Sequence, residues 1–138
     1  MATFAPNVVP AGIIVTYPVA SAGVVATAGA ANVYGAYIQL AAAGLITEDF
    51  RLVSVTFRTP SGVQVGKIEI VWDEAGATTG PISLGEFDFE IASDAGAFQT
   101  ISVPTGGIIP NGETLGARIK SVAGATTLAL SAGIQPVG

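Results

Sequence analysis

The sequence predicts an all-β fold, a single-domain antiparallel β-sandwich or jelly roll of about eight strands with an extended N-terminal arm. Three observations predict it. Apolar and polar residues alternate with a period of two over much of the chain. The 18 Gly and 8 Pro break that alternation, and the strands between the breaks recur at intervals of roughly 10 to 15 residues, the spacing of a sandwich or jelly roll. Helix signals are confined to residues 41–49, where Gly44 interrupts a short apolar run and Thr47 caps no more than a turn. A chain of 138 residues makes one domain, read here as an arm over residues 1–11 and a β domain over residues 12–138.

The arm is inferred from the first 31 residues, which carry no charge and contain Pro6, Pro10 and Pro18. Proline removes an amide donor and fixes φ, which favours an extended segment over a central strand. Strands follow at 12–17, 21–27 and 34–42. Residues 50–58 alternate on two faces, with Arg51, Val53, Val55 and Phe57 on one and Phe50, Leu52, Ser54 and Thr56 on the other, and both faces are substantially apolar. Thr59-Pro60-Ser61-Gly62 reads as a hairpin turn into a return strand at 63–72, with a β-bulge at Gly66 where the apolar phase changes. Further strands are expected at 87–91, 98–103, 115–120 and 126–134. Asn111-Gly112 marks the turn before the strand at 115–120, because that pair tolerates positive φ.

Composition excludes most common catalytic chemistry. The chain has no Cys and no His, so it forms no Ser-His-Asp or Cys-His pair, no thiolate or imidazole metal site and no disulfide. No catalytic residue, cofactor or metal is expected, and the chain reads as a non-enzyme. Five basic against ten acidic residues give a net charge of -5, and Arg51, Arg58, Lys67, Arg118 and Lys120 form no stripe, so neither nucleic acid nor an anionic membrane is an expected partner. Pro18, Gly23 and Gly29 interrupt the uncharged run 11–31, which argues against a membrane span.

Two groups of residues invite a functional reading. Asp73, Glu74, Glu86, Asp88, Glu90 and Asp94 fall together without an intervening base. Cation binding or a carboxylate pair acting on a glycosidic bond are the sharp readings, and a solvated sheet face is the plain one. Tyr34 and Tyr37 suggest a carbohydrate platform, but three residues apart on a regular strand they point to opposite faces. Gly62-Val63-Gln64-Val65-Gly66-Lys67 has one residue too few between its glycines for a phosphate loop.

The stretches Tyr34-Gly35-Ala36-Tyr37-Ile38-Gln39-Leu40-Ala41, residues 51–57, and Ile109-Pro110-Asn111-Gly112-Glu113-Thr114-Leu115-Gly116-Ala117-Arg118 resemble small virion proteins of tailed phages, the decoration or cement type. The last stretch is similar to an Ile-Pro-x-Gly-Thr-x-Leu-x-x-Arg pattern, with Glu113 inserted. The resemblance implies a structural protein on the capsid exterior that binds the major capsid protein or another virion protein, as a homo-oligomer with a trimer as the first expectation. A mean hydropathy of +0.63 with 11% charged residues agrees with burial against a partner. Phe4, Val8, Val9, Ile13 and Ile14 are the expected interface anchors. The alternative is a carbohydrate-binding β-sandwich module of a tail fibre or secreted protein.

Overall fold

A computed structural model describes residues 14–18, 23–58, 64–73, 81–91, 98–103 and 107–137. These residues form ten strands and no helix: β1 (Val15–Tyr17), β2 (Val24–Thr27), β3 (Ile38–Ala41), β4 (Phe50–Arg58), β5 (Gln64–Asp73), β6 (Ile82–Ile91), β7 (Phe98–Ser102), β8 (Ile108–Ile109), β9 (Thr114–Ser121) and β10 (Thr127–Pro136). The strands make two antiparallel sheets. The first, sheet A, runs β1-β10-β4-β7, with β2 also on β10 and β8 also on β4. Sheet B runs β3-β9-β5-β6. The all-β expectation and the two-sheet arrangement hold. The strand number is ten rather than about eight: nine of the ten overlap the segments expected from the sequence, and the short β8 adds a piece beside β4. The arm over 1–11 lies outside the described residues.

One core fills the space between the sheets. Sheet A contributes Phe50, Leu52, Val55 and Phe57 from β4 and Leu128, Leu130, Ala132 and Ile134 from β10; sheet B contributes Ile68, Ile70, Leu115, Ala117, Ile119 and Phe89. The ambiguity of β4 is resolved by a bulge. Gly133 pairs with Ser54 but the next residue, Ile134, pairs with Leu52, so Val53 is an extra residue that resets the side-chain phase. Phe50 and Leu52 before it and Val55 and Phe57 after it therefore all face inward, each no more than 1% exposed.

Two sequence expectations are corrected. Strands β4 and β5 are not a hairpin: β4 pairs with β10 and β7 in sheet A, whereas β5 pairs with β9 and β6 in sheet B. The chain crosses between sheets there, and residues 59–63 lie outside the described set. The bulge expected at Gly66 is instead on β6, where Ile70 pairs with Gly85 and Val71 with Ser83, leaving Leu84 extra. Gly85 has φ +137°, a conformation open to glycine. Gly66 stays in register opposite Phe89 and Ser121, and a Cβ there would meet the Lys120 carbonyl and the Phe89 ring. Its bare backbone makes room for Phe89, whose ring packs on Phe57 at 5.7 Å.

Two turns close one end of the molecule. The 41–49 segment is a turn with Gly44 at φ +81°, and the Asn111-Gly112 turn has Gly112 at φ +82°. They are bonded to each other by Gly44 N–H to the Gly112 carbonyl and Gly112 N–H to the Ile46 carbonyl, each at 2.8 Å. Asn111 donates its backbone and side-chain N–H groups to Asp49 Oδ1. Those two donors hold the Asp49 carboxyl below the usual carboxylate range.

Candidate interaction surfaces

The two sheets carry opposite chemistry on their outer faces. Strands β1, β2, β4, β7, β8 and β10 of sheet A contain no Asp or Glu, and their only charged residues are Arg51 and Arg58. Sheet B holds Lys67, Glu69, Asp73, Glu86, Asp88, Glu90, Arg118 and Lys120. This division follows from register, because paired residues on neighbouring strands point to the same side.

On sheet A the register sets Thr16 beside Gly133, Gly133 beside Ser54 and Ser54 beside Ser102. The next outward row is Ser131, Thr56 and Thr100, with the Thr56 and Thr100 hydroxyls 3.1 Å apart. Ala129 lies between Val25 and Arg58 in a third row. The result is a face of small hydroxyl-bearing and apolar side chains. Three large apolar residues stand on it: Ile14 at 56%, Val25 at 58% and Ile108 at 61% exposure. Ile14, from the expected interface set, lies against Gly133, where a Cβ would meet its side chain. Phe4, Val8, Val9 and Ile13 lie outside the described residues.

On sheet B the acidic row found in the sequence meets bases in part. Glu86, Asp88 and Glu90 do share an outward row, as alternation requires, but Lys67 donates to Asp88 Oδ1 at 2.7 Å, and Glu69, which stands opposite Glu86 on β5, accepts from Arg118 Nε at 2.7 Å. The bases arrive from β5 and β9, far away in sequence. Among the described residues no three acidic groups are placed to hold a metal ion. Glu74 and Asp94 lie outside that set.

The tyrosines also depart from expectation. Gly35 N–H bonds the Ile119 carbonyl, while Ile38 pairs with Ala117. Two residues, Ala36 and Tyr37, thus stand opposite the single residue Arg118, and the phase is reset so that Tyr34 and Tyr37 reach one face. Gly35 is required for this path, since a Cβ would collide with the Thr27 carbonyl oxygen. The Arg118 guanidinium lies 4.3 Å from the Tyr34 ring centre and 4.6 Å from that of Tyr37. Lys120 Nζ lies 4.8 Å from the Tyr34 ring centre. The Tyr34 hydroxyl donates to Glu86 Oε1 at 2.5 Å, the Tyr37 hydroxyl to Glu69 Oε1 at 3.4 Å, and the Ser83 hydroxyl to Glu69 Oε2 at 3.1 Å.

Burial, the Glu86 hydrogen bond and the nearby carboxylate charges together push the Tyr34 phenol well above its ordinary value. The same hydrogen bond holds Glu86 below the usual range for glutamate. The cluster is therefore a closed network whose rings, cations and carboxylates satisfy one another.

A cleft of about 220 Å³ opens between β1 and residues 46–48, lined by Val15, Tyr17, Ile46, Thr47, Glu48, Ile134 and Pro136. No family model, curated protein or solved structure matches the chain.

Proposed function

We propose that the chain is a non-catalytic structural protein that docks the outer face of sheet A on a protein lattice and stabilises it. The lattice is a phage capsid, the partner is the major capsid protein or another virion protein, the location is the capsid exterior, and the chain self-associates. The observation that carries this reading is the division of chemistry between the sheets. A face without carboxylates among the described residues, bearing exposed Ile14, Val25 and Ile108, has the character of a surface that is covered in use. The opposite face, with its charge network, suits water. A protein that binds only the assembled lattice stabilises that state by mass action.

The strand pairing supports a jelly roll as the finer form of the fold. β1 and β2 pair with the last strand, β3 with β9, β4 with β7 and β5 with β6, a nested order in which a long ribbon is folded over on itself. Such folds occur in viral capsid and lectin domains alike, so the choice between those two readings rests on the surfaces. A carbohydrate module would draw on Tyr34 and Tyr37, but both rings already hold cations, which favours the docking reading.

The test is immunogold electron microscopy of tailed phage particles from the source culture, with antibody raised against the purified chain. Labelled head exteriors are expected. Particles that stay unlabelled, or that are labelled on tails alone, would overturn the reading.

A further inference from the structure

We infer that two copies of this chain join through β7, antiparallel about a twofold axis, so that sheet A runs continuously from one copy into the other. The inference rests on the self-association proposed above and names the strand that carries it. Every sheet edge presents unpaired amides and carbonyls that template pairing with another chain. The edges of this molecule differ in whether they tolerate a copy of themselves.

Strand β6, the ten-residue edge of sheet B, does not. Antiparallel pairing of β6 with itself about Asp88 sets Asp88 against Asp88 and Glu86 against Glu90, and like charges directly opposite destabilise a ladder. Its Leu84–Gly85 bulge further breaks the edge. The other edges are short: β1 has three residues, β2 four, β8 two, and β3 four with an irregularity between Gln39 and Ala41.

Strand β7 is five residues long, carries no charge and, among the described residues, pairs with β4 alone. Val103 N–H bonds the Val53 carbonyl at 2.8 Å. Alternation along the strand then turns the Ile101 amide toward β4 and the Thr100 and Ser102 amides toward the open edge. Pairing about Ile101 sets Thr100 opposite Ser102 of the other copy in both directions. Hydroxyls meet hydroxyls on the outer face. Ile101, which packs against the core, meets Ile101 on the inner face, so the apolar layer continues across the junction.

The test is light scattering on the full chain at micromolar concentration. The wild type is expected at about twice 13.7 kDa. A monomer would overturn the self-association reading itself, and a trimer would overturn the β7 twofold. Thr100→Pro and Ser102→Pro each remove an edge-facing amide while leaving the ladder to β4 intact, and each is expected to halve the mass with the circular dichroism spectrum unchanged. A second pair of variants covers the case in which proline prevents folding. Thr100→Glu with Ser102→Glu in one preparation, and Thr100→Lys with Ser102→Lys in another, are each expected to be monomeric. Mixed in equal amounts they are expected to form a heterodimer, because carboxylates then face ammonium groups across the axis. Proline variants that fold and remain dimeric, or charged pairs that fail to combine on mixing, would overturn the inference while leaving self-association standing.

Discussion

Arg118 depends on a glycine 83 positions earlier in the chain. Gly35 lets the segment before β3 press against the Thr27 carbonyl, and only on that path do both tyrosines reach the guanidinium. Gly35→Ala adds a methyl group where backbone already stands, an overpacking that costs roughly 1–3 kcal/mol; urea unfolding is expected to show that loss. The same cluster sets a pH dependence. The Tyr34 phenol is raised in the folded chain, so its contribution is intact below the ordinary value of 10.0 and falls as pH rises beyond it, where the unfolded chain releases a proton that the folded chain keeps. Glu86 is lowered, so its contribution is intact above the ordinary 4.5 and is lost as pH falls through the folded value. Melting temperature should therefore decline on both the alkaline and the acid side of a plateau. Tyr34→Phe removes the hydroxyl common to both effects and is expected to flatten both limbs; an unchanged profile would show that the phenol–carboxylate bond does not couple to folding.

At the level of strands, the bulge at Val53 sets which face of β4 is buried. If Val53 held an ordinary ladder position, Phe50 and Leu52 would face the solvent whenever Val55 and Phe57 faced the core. Deleting Val53 joins Leu52 to Ser54 and is expected to leave a regular strand with Phe50, Leu52, Val55 and Phe57 still inward, in the same register to β10. Far-ultraviolet circular dichroism should show the strand signal retained in the deletion as in Val53→Ala; loss of the signal in the deletion alone would show that the extra residue is itself needed for folding. This strand also shows what the sequence carries and what it withholds. Alternation in β9 and β10 is uninterrupted, and residues such as Leu115, Ala117 and Ile119, or Leu128, Leu130, Ala132 and Ile134, can be read inward directly. In β4, β6 and the segment before β3 an added residue shifts the phase, and its position is set by partner strands that are distant in sequence. The apparent turn at 59–62 suggested a hairpin for the same reason: local turn chemistry signals a change of direction, not the sheet to which the next strand belongs. The acidic row was legible as a row. The partners of that row, Lys67 on Asp88 and Tyr34 on Glu86, were not, because cross-strand pairing brings them in.

The molecule as a whole is two-sided, and its proposed role can be tested by treating the sides separately. Eight of the ten charged strand residues belong to sheet B, and the two on sheet A, Arg51 and Arg58, stand near opposite ends of β4. A lattice partner covering sheet A desolvates Val25 and Thr56 together, so a carboxylate placed at Val25 would lose its water with no base on the neighbouring strand, Arg58 standing one strand further on beyond Ala129. Burying a charge without a partner costs several kcal/mol after relaxation. Val25→Glu, at a position 58% exposed in the free chain, should leave the melting temperature within a degree or two, since surface substitutions usually change stability by no more than about 0.5 kcal/mol. The same substitution should lower the amount of chain that sediments with phage heads by at least tenfold, which corresponds to about 1.4 kcal/mol. Val65→Glu, 44% exposed on β5 in sheet B, serves as the control and should bind as the wild type does. If Val65→Glu abolished sedimentation and Val25→Glu did not, the docking surface would be sheet B, and the closed tyrosine–arginine network would be the part of the molecule that meets the lattice.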